Sequence, residues 1–192
     1  LYPVITASSE IQLYRWGLIP FCVKTEEDAA SISTKTYNAR AESIFDKPSF
    51  RSSVTSKRCL IPSTGWFDWR HEKGKKIPYF IYVKDEEIFS MAGIYSEWQH
   101  PQTRQTLYTF SIITTAANEL MRCIHNTNFR MPVLLYKEEE EKWLYPELNR
   151  PAIEEFLQPF DSDRMEAYVI DNHFLQKSPY DPTVIKPLSP SS

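Results

Sequence analysis

A histidine lies in the segment MRCIHNTNFRMPVLL, residues 121–135, where a helical pattern gives way to a strand-like one. The apolar residues before His125 have helical spacing, whereas MPVLL, after the polar NTN, is typical of a strand. A histidine at a helix end is often structural, because the negative end of the helix favours the imidazolium. Histidine is also well suited to moving protons near neutral pH. The exposed character of NTN and the nearby Arg130 favour catalysis, but the pattern leaves both interpretations open.

A carboxylate lies within the aromatic segment GWFDWR. If this segment is a strand, alternation places Phe67 and Trp69 on the face opposite Asp68. A carboxylate in an aromatic wall is costly to bury unless it is paired or its pKa is raised, which is how enzymes prepare a general acid or base. The alternative is a surface salt bridge from Asp68 to Arg70 or Arg58.

Two further segments carry side chains that could bind a polar or nucleic-acid ligand. In TYNARAES, an extended backbone would put Asn38, Arg40 and Glu42 on one face, where they could bind a phosphorylated ligand or form only a turn and a surface ion pair. In YRWGLIPF, Trp16 and Phe21 flank a Gly–Pro bend. Aromatic side chains held there could stack on unpaired bases, or they could be core residues.

The elements that must position these residues are mostly strands. With 4 glycines against 14 prolines, the chain is expected to have rigid turns. Strands are predicted most clearly between Arg58 and Thr115, with a hairpin at HEKGKK in which Gly74 takes positive φ. NELMRCIH is predicted to be a short helix, and RSSVTSKR a basic loop that is either a solvated turn or part of a positive groove. The pattern therefore indicates a β-rich α+β domain.

Composition limits the possible functions. The 192 residues fit one domain, and a net charge of −3 means that nucleic acid would need a local basic patch. Three cysteines without CxxC spacing argue against a disulfide framework, and no leader or bilayer-spanning run is visible. We therefore expect a cytoplasmic protein with no membrane partner. We also expect no metal and no cofactor, since HExxH, phosphate-binding glycine loops and G-x-S-x-G are absent from the sequence. The chain begins at Leu1 within a strand-like LYPVI, which predicts natural residues before it.

Taken in order, several segments closely resemble the SRAP family, the SOS response-associated peptidases that act as abasic-site sensors. The segments run from about Trp16 to Leu135 and are RWGLIP, YNARAES, RCLIPSTGWFDWR, PYFIY, MAGIYSEW, FSIITTAAN and IHNTNFRMPVLL. We accordingly expect one α+β domain over residues 1–192, with a mixed, largely antiparallel, barrel-like sheet core and short peripheral helices. We expect a monomer.

The resemblance implies a particular activity. SRAP proteins bind abasic sites in single-stranded DNA and form a covalent DNA–protein crosslink through a cysteine that follows the initiator methionine. Its α-amine gives a Schiff base with the sugar aldehyde, and its thiol closes a thiazolidine. The same residue underlies a peptidase-like self-processing activity. None of Cys22, Cys59 and Cys123 could replace it, because an internal cysteine has no free amine.

The resemblance also implies roles for individual residues. The catalytic residues would be Asn38, which orients the N-terminal residue and the sugar, Asp68 as acid–base carboxylate, and His125, which assists ring opening and proton transfer. The DNA-binding residues would be Trp16, Phe21, Arg40, Glu42 and Arg130.

This chain departs from the family pattern at two of these positions. Asp68 stands where members usually carry glutamate, and NTNF separates His125 from RMP where many members read HDRMP. Two other functions stay open on the sequence: a hydrolase acting on protein substrates, which would need no DNA affinity, and a non-catalytic binding module.

Overall fold

The computed structural model describes residues 1–8, 10–178 and 181–188, so Ser189–Ser192 of the predicted proline-rich tail lie outside the described residues. The chain forms two compact units that interleave along the sequence. The first comprises Leu1–Pro62, Phe89–Thr115 and Pro132–Pro159, and the second comprises Ser63–Ile88, Ala116–Met131 and Phe160–Ser192. The expected single domain stays a prediction.

Strands make up most of the regular structure in the described residues. They are Tyr2–Ile5 (β1), Ile11–Trp16 (β2), Asn38–Arg40 (β3), Arg58–Ser63 (β4), Trp66–Glu72 (β5), Lys75–Val83 (β6), Phe89–Gln99 (β7), Thr106–Ala116 (β8), Arg130–Pro132 (β9), Leu134–Leu135 (β10) and Met165–Val169 (β11). The α-helices are short: Glu26–Ser33 (α1), Arg51–Ser56 (α2), Glu119–Ile124 (α3), Glu140–Trp143 (α4) and Arg150–Phe156 (α5). Short 3₁₀ helices cover Ala41–Ser43, Lys137–Glu139, Ser162–Arg164, Phe174–Gln176 and Pro182–Ile185. None of the described helices has the length and apolar character that crossing a membrane requires.

The first unit is built on a closed sheet. Its strands follow the order β10-β7-β4-β1-β2-β8-β3, and β7 also pairs with β8, so that β1, β2, β4, β7 and β8 close into a five-stranded barrel. The β1–β2 and β7–β8 pairs are antiparallel, whereas β8 pairs in parallel with β2 and β3. This arrangement confirms the expected mixed, barrel-like sheet with short helices around it.

A buried cluster joins the barrel to α2, α4 and α5. It includes Val54 of α2, Trp143 of α4 and Ile153 of α5, all buried with barrel residues such as Ile94 and Ile113. These helices are too short to be stable alone, so burial of their apolar side chains supplies most of their stability.

The segment predicted as a basic loop, RSSVTSKR, is instead mostly helix α2. Phe50 and Val54, one turn apart, are both buried in the core of the first unit. The buried guanidinium of Arg58 donates to the carbonyl oxygens of Val54 and Thr55, each at 2.8 Å, and so satisfies the C-terminal end of the helix. Tertiary packing therefore overrides the low helix propensity of a Ser- and Thr-rich segment.

The second unit contains a three-stranded antiparallel sheet in the order β11-β6-β5, which makes β5 an edge strand. The β5–β6 turn has positive φ at both Lys73 (48°) and Gly74 (78°), as predicted for Gly74. On one face of the sheet Phe67 and Trp69 pack against Phe174, with ring centroids 4.6 and 6.0 Å apart. Asp68, between them, faces the other way, as the alternation predicted.

Candidate active site and basic cleft

The structure brings Asp68 and His125 together in the second unit. Asp68 lies on β5, and His125 is the C-cap residue of α3. Asp68 Oδ2 is 3.5 Å from His125 Nδ1, and the two side chains are 19% and 24% exposed. A carboxylate and an imidazole at this separation form an acid–base pair that is partly shielded from solvent.

The environment of Asp68 raises the pKa of its carboxyl. Burial is the main cause, since it penalises the charged form. The Trp69 backbone N–H, which donates to Asp68 Oδ1 at 2.8 Å, and the nearby His125 lower the pKa but do not offset the burial. The alternative, a surface salt bridge from Asp68 to Arg70 or Arg58, is wrong. Arg70 Nε lies 3.7 Å from Glu72 Oε2 instead, and the buried guanidinium of Arg58 donates to backbone carbonyl oxygens.

Backbone groups hold His125 in one orientation. Its backbone N–H donates to the Met121 carbonyl at 2.7 Å, and Nδ1 lies 3.0 Å from the Arg130 carbonyl oxygen. A carbonyl oxygen can only accept a hydrogen bond, so Nδ1 carries the proton. The neutral ring then has its lone pair on Nε2, which makes no hydrogen bond to any described residue. Nε2 is thus available to take a proton from a ligand and to return it.

Asn126, which follows His125 and was not among the predicted site residues, also bonds to β5. Its Oδ1 accepts from the His71 N–H at 3.0 Å, and its Nδ2 donates to the His71 carbonyl at 2.9 Å. Nothing in the sequence pattern distinguished this asparagine from Asn128 in the same turn, because the bond depends on the edge of β5.

In the first unit, the structure brings Trp16 and Asn38 together beside the start of the chain. A cavity of about 520 Å³ is lined by Leu1, Tyr2, Arg15, Trp16, Tyr37 and Asn38. The Trp16 ring is half-buried, its Nε1 donates to the Tyr37 carbonyl at 2.8 Å, and it packs edge-on against Tyr2. Trp16 is therefore a partly exposed wall of a cavity, although its sequence pattern is typical of a core residue.

Arg40 lies on the same strand as Asn38, and the two flank the buried Ala39 on the exposed face of β3. The predicted common face with Glu42 is wrong, because the strand ends at Arg40 and Glu42 belongs to the 3₁₀ helix Ala41–Ser43.

A second cavity in the first unit, of about 940 Å³, is an open basic cleft. Four of its lining residues are cationic, namely Lys24, Lys35, Arg40 and Lys47, whereas Asp28 is its only acidic lining residue among those described. Asn38 lines this basic cleft as well as the smaller cavity. RSSVTSKR was predicted as a possible part of a positive groove, but none of its residues lines the basic cleft. The three lysines come from separate segments, so no charge run in the sequence could reveal them.

The remaining predicted residues are placed as follows. Phe21 is 64% exposed, just outside the core, and Arg130 is half-buried at the start of β9. The functional roles of all the predicted site residues stay predictions. Within the part of the chain that the structure describes, no three His, Cys, Asp or Glu side chains are grouped so that they could hold a metal ion.

Comparison with known proteins gives consistent matches. Residues 2–176 match the family model described as SOS response associated peptidase (SRAP). Abasic site processing protein YoqW of Bacillus subtilis is 45% identical over 160 residues, which cover 82% of this chain and 68% of that protein. Abasic site processing protein HMCES of Gallus gallus is 36% identical over 150 residues, covering 68% of this chain and 44% of that protein. A crystal structure of a protein from Bacteroides thetaiotaomicron is 57% identical, with a TM-score of 0.97 over 98% of this chain and 81% of that one.

Proposed function

The chain belongs to the SOS response associated peptidase (SRAP) family, and we propose that it processes abasic sites by capturing them covalently in single-stranded DNA. The relatives named as abasic site processing proteins support the substrate. The observation that supports the chemistry is the Asp68–His125 pair. Nδ1 of the histidine is hydrogen-bonded to the Arg130 carbonyl oxygen, which leaves Nε2 to exchange protons with a ligand.

The proposed reaction uses the N-terminal cysteine that characterises the family. Its α-amine adds to the aldehyde carbon of the ring-opened sugar, and the carbinolamine then loses water to give an imine. The thiol adds to the imine carbon, its proton passes to the nitrogen, and a thiazolidine results. Both protons of the amine end on the sugar oxygen, which leaves as water: one is transferred during addition and the other during dehydration. Each transfer needs a positioned base and acid.

His125 is suited to these transfers. In addition and again in dehydration, its Nε2 accepts a proton from the nitrogen and returns it to the sugar oxygen, while Asp68 stabilises the imidazolium formed in between. The positions of Asn38, Trp16 and Leu1 around one cavity support a role for Asn38 in orienting the N-terminal residue.

The basic cleft supports binding of a DNA strand. Lys24, Lys35 and Arg40 line it, so that it can neutralise phosphates in spite of the net charge of −3. The exposed Phe21 offers an aromatic face on which a base can stack. A hydrolase acting on protein substrates would not need this cleft, which makes it the weaker alternative.

The test uses protein with its natural N-terminus, verified by intact mass. It is mixed with single-stranded DNA that contains one abasic site and run on a denaturing gel. Two control strands are used: an undamaged one, and one with tetrahydrofuran at the same position, which lacks the aldehyde. We expect a shifted band with the abasic strand only. No band, or an equal band with tetrahydrofuran, would exclude covalent capture through the aldehyde.

A further inference from the structure

The backbone at the free edge of β5 forms hydrogen bonds with a side chain instead of a neighbouring strand. In an antiparallel pair, alternate residues direct both N–H and C=O toward the neighbouring strand, and the residues between them direct both groups away. His71 is opposite Lys76 in the β5–β6 register, but its N–H and C=O both bond to Asn126. The Asn126 carboxamide therefore takes the place of a peptide unit from a neighbouring strand.

These two hydrogen bonds link the segments that carry the two residues of the acid–base pair. Asn126 directly follows His125, and Asp68 lies on the same strand as His71, three residues earlier. The two bonds therefore tie the turn that carries the imidazole to the strand that carries the carboxylate.

The turn is closed by its own backbone and is tied to β5 through the side chain of Asn126. Phe129 N–H donates to the His125 carbonyl at 2.9 Å and closes the turn, and Phe129 takes a positive φ of 52°. Asn126 is half-buried, whereas Thr127 and Asn128 are exposed. The carboxamide of Asn126 supplies two hydrogen bonds from this turn to the backbone of β5.

We propose that Asn126 is a positioning residue, which fixes the turn after α3 against the edge of β5 and so sets the separation of Asp68 and His125. The inference rests on the proposed function of that pair and adds a residue to it. A misplacement of about 1 Å can cost 100-fold in rate, so a restraint of this kind matters to proton transfer.

The test compares Asn126→Ala with Asn128→Ala. Both changes are neutral and remove the same atoms from one turn, but only the first removes the bonds to His71. Single-turnover crosslinking is measured at saturating abasic single-stranded DNA between about pH 4 and 9, a range that begins near the ordinary pKa of an aspartate. Kd is measured with a tetrahydrofuran strand, and thermal denaturation shows whether each variant is folded.

We expect Asn126→Ala to slow crosslinking by about 10- to 100-fold while Kd stays within about 2-fold of the control. The proximity of His125 lowers the pKa of Asp68, so loss of the restraint should also move the Asp68 limb of the pH–rate profile to higher pH. Asn126→Asp, which can still accept from the His71 N–H but cannot donate to its carbonyl, should give an intermediate rate. The same rate and pH profile as Asn128→Ala would overturn the inference.

A separate measurement distinguishes failure of this inference from failure of the proposed function. If the wild-type protein forms no crosslink, the proposed function fails, and the NMR signals of the His125 ring are then recorded in both variants. Signals shifted or broadened in Asn126→Ala but not in Asn128→Ala support positioning by Asn126. Identical ring signals in the two variants overturn it.

Discussion

Burial and hydrogen bonding or pairing shift the pKa of the Asp68 carboxyl in opposite directions. Burial raises its pKa, and the effect of burial exceeds that of the Trp69 N–H and of His125. An acid whose pKa is higher in the folded state binds more protons there than in the unfolded chain, so the free energy of unfolding falls as pH rises. For Asp68 this loss begins near the unfolded pKa of about 3.9 and is complete above the raised folded pKa.

Asp68→Asn should remove this loss, because an amide does not titrate. The difference between its melting temperature and that of wild type should therefore increase with pH between the unfolded and folded pKa values of Asp68. The increase should be about 2–4 °C for each kcal/mol of unfolding free energy that wild type loses. The variant should also crosslink abasic DNA far more slowly. Asp46→Asn, the same change at an exposed carboxyl, is the control. Parallel loss of stability with pH in wild type and Asp68→Asn would contradict this account.

His125→Ala tests the other partner. It removes the available Nε2, so we expect capture or its reversal to slow by about 10²- to 10⁴-fold with little change in affinity for a tetrahydrofuran strand. His71→Ala is a matched control, because the His71 side chain is exposed and only its backbone bonds to Asn126. Unchanged rates in both directions would remove His125 from the mechanism.

At the scale of elements, the sequence predicted what local patterns determine and missed what tertiary contacts impose. Alternation and turn chemistry were enough for β5, β6 and their hairpin, and the face of Asp68 followed from them. Helix α2 was not predictable from its own residues, since burial of Val54 and the bonds from Arg58 stabilise it. The bonds of Asn126 to β5 could not be predicted for the same reason, because its partner His71 lies 55 residues earlier in the chain.

Substitutions at two glycines distinguish the free-energy cost of an unfavourable φ from the cost of steric crowding by an added Cβ. Gly17, which follows β2, has φ +104°, and Gly74 has φ +78°. A Cβ at Gly17 would lie 2.4 Å from the Ser33 carbonyl oxygen at the end of α1, whereas a Cβ at Gly74 would meet nothing within 4 Å. The two positions therefore share an unfavourable φ but differ in the space available to a methyl group.

Gly74→Ala should cost about 1 kcal/mol, the cost of a positive φ in a residue with a Cβ. Gly17→Ala should cost more, about 2–4 kcal/mol, because the Ser33 carbonyl must also move. Urea denaturation of the two variants gives the comparison directly. Equal losses would mean that α1 adjusts freely to the added methyl group.

At the scale of the whole molecule, the distribution of charge matters more than its sum. The net charge of −3 opposes binding to any polyanion, yet the basic cleft gathers three lysines and Arg40 around one acidic residue. If phosphates bind in this cleft, affinity depends on local neutralisation and on the counterions released, and it should fall steeply with salt.

Charge reversal distinguishes the local contribution from the overall one. Arg40→Glu, Lys35→Glu and Lys142→Glu each change the net charge by the same amount, but Lys142 is an exposed residue of α4 that does not line the basic cleft. We expect the two changes in the cleft to weaken binding of single-stranded DNA and to flatten the slope of log K against log salt by about 0.7 for each phosphate that is no longer neutralised. Lys142→Glu should leave the slope unchanged. If it weakens binding as much as Arg40→Glu does, affinity follows net charge alone, and the basic cleft does not hold the strand.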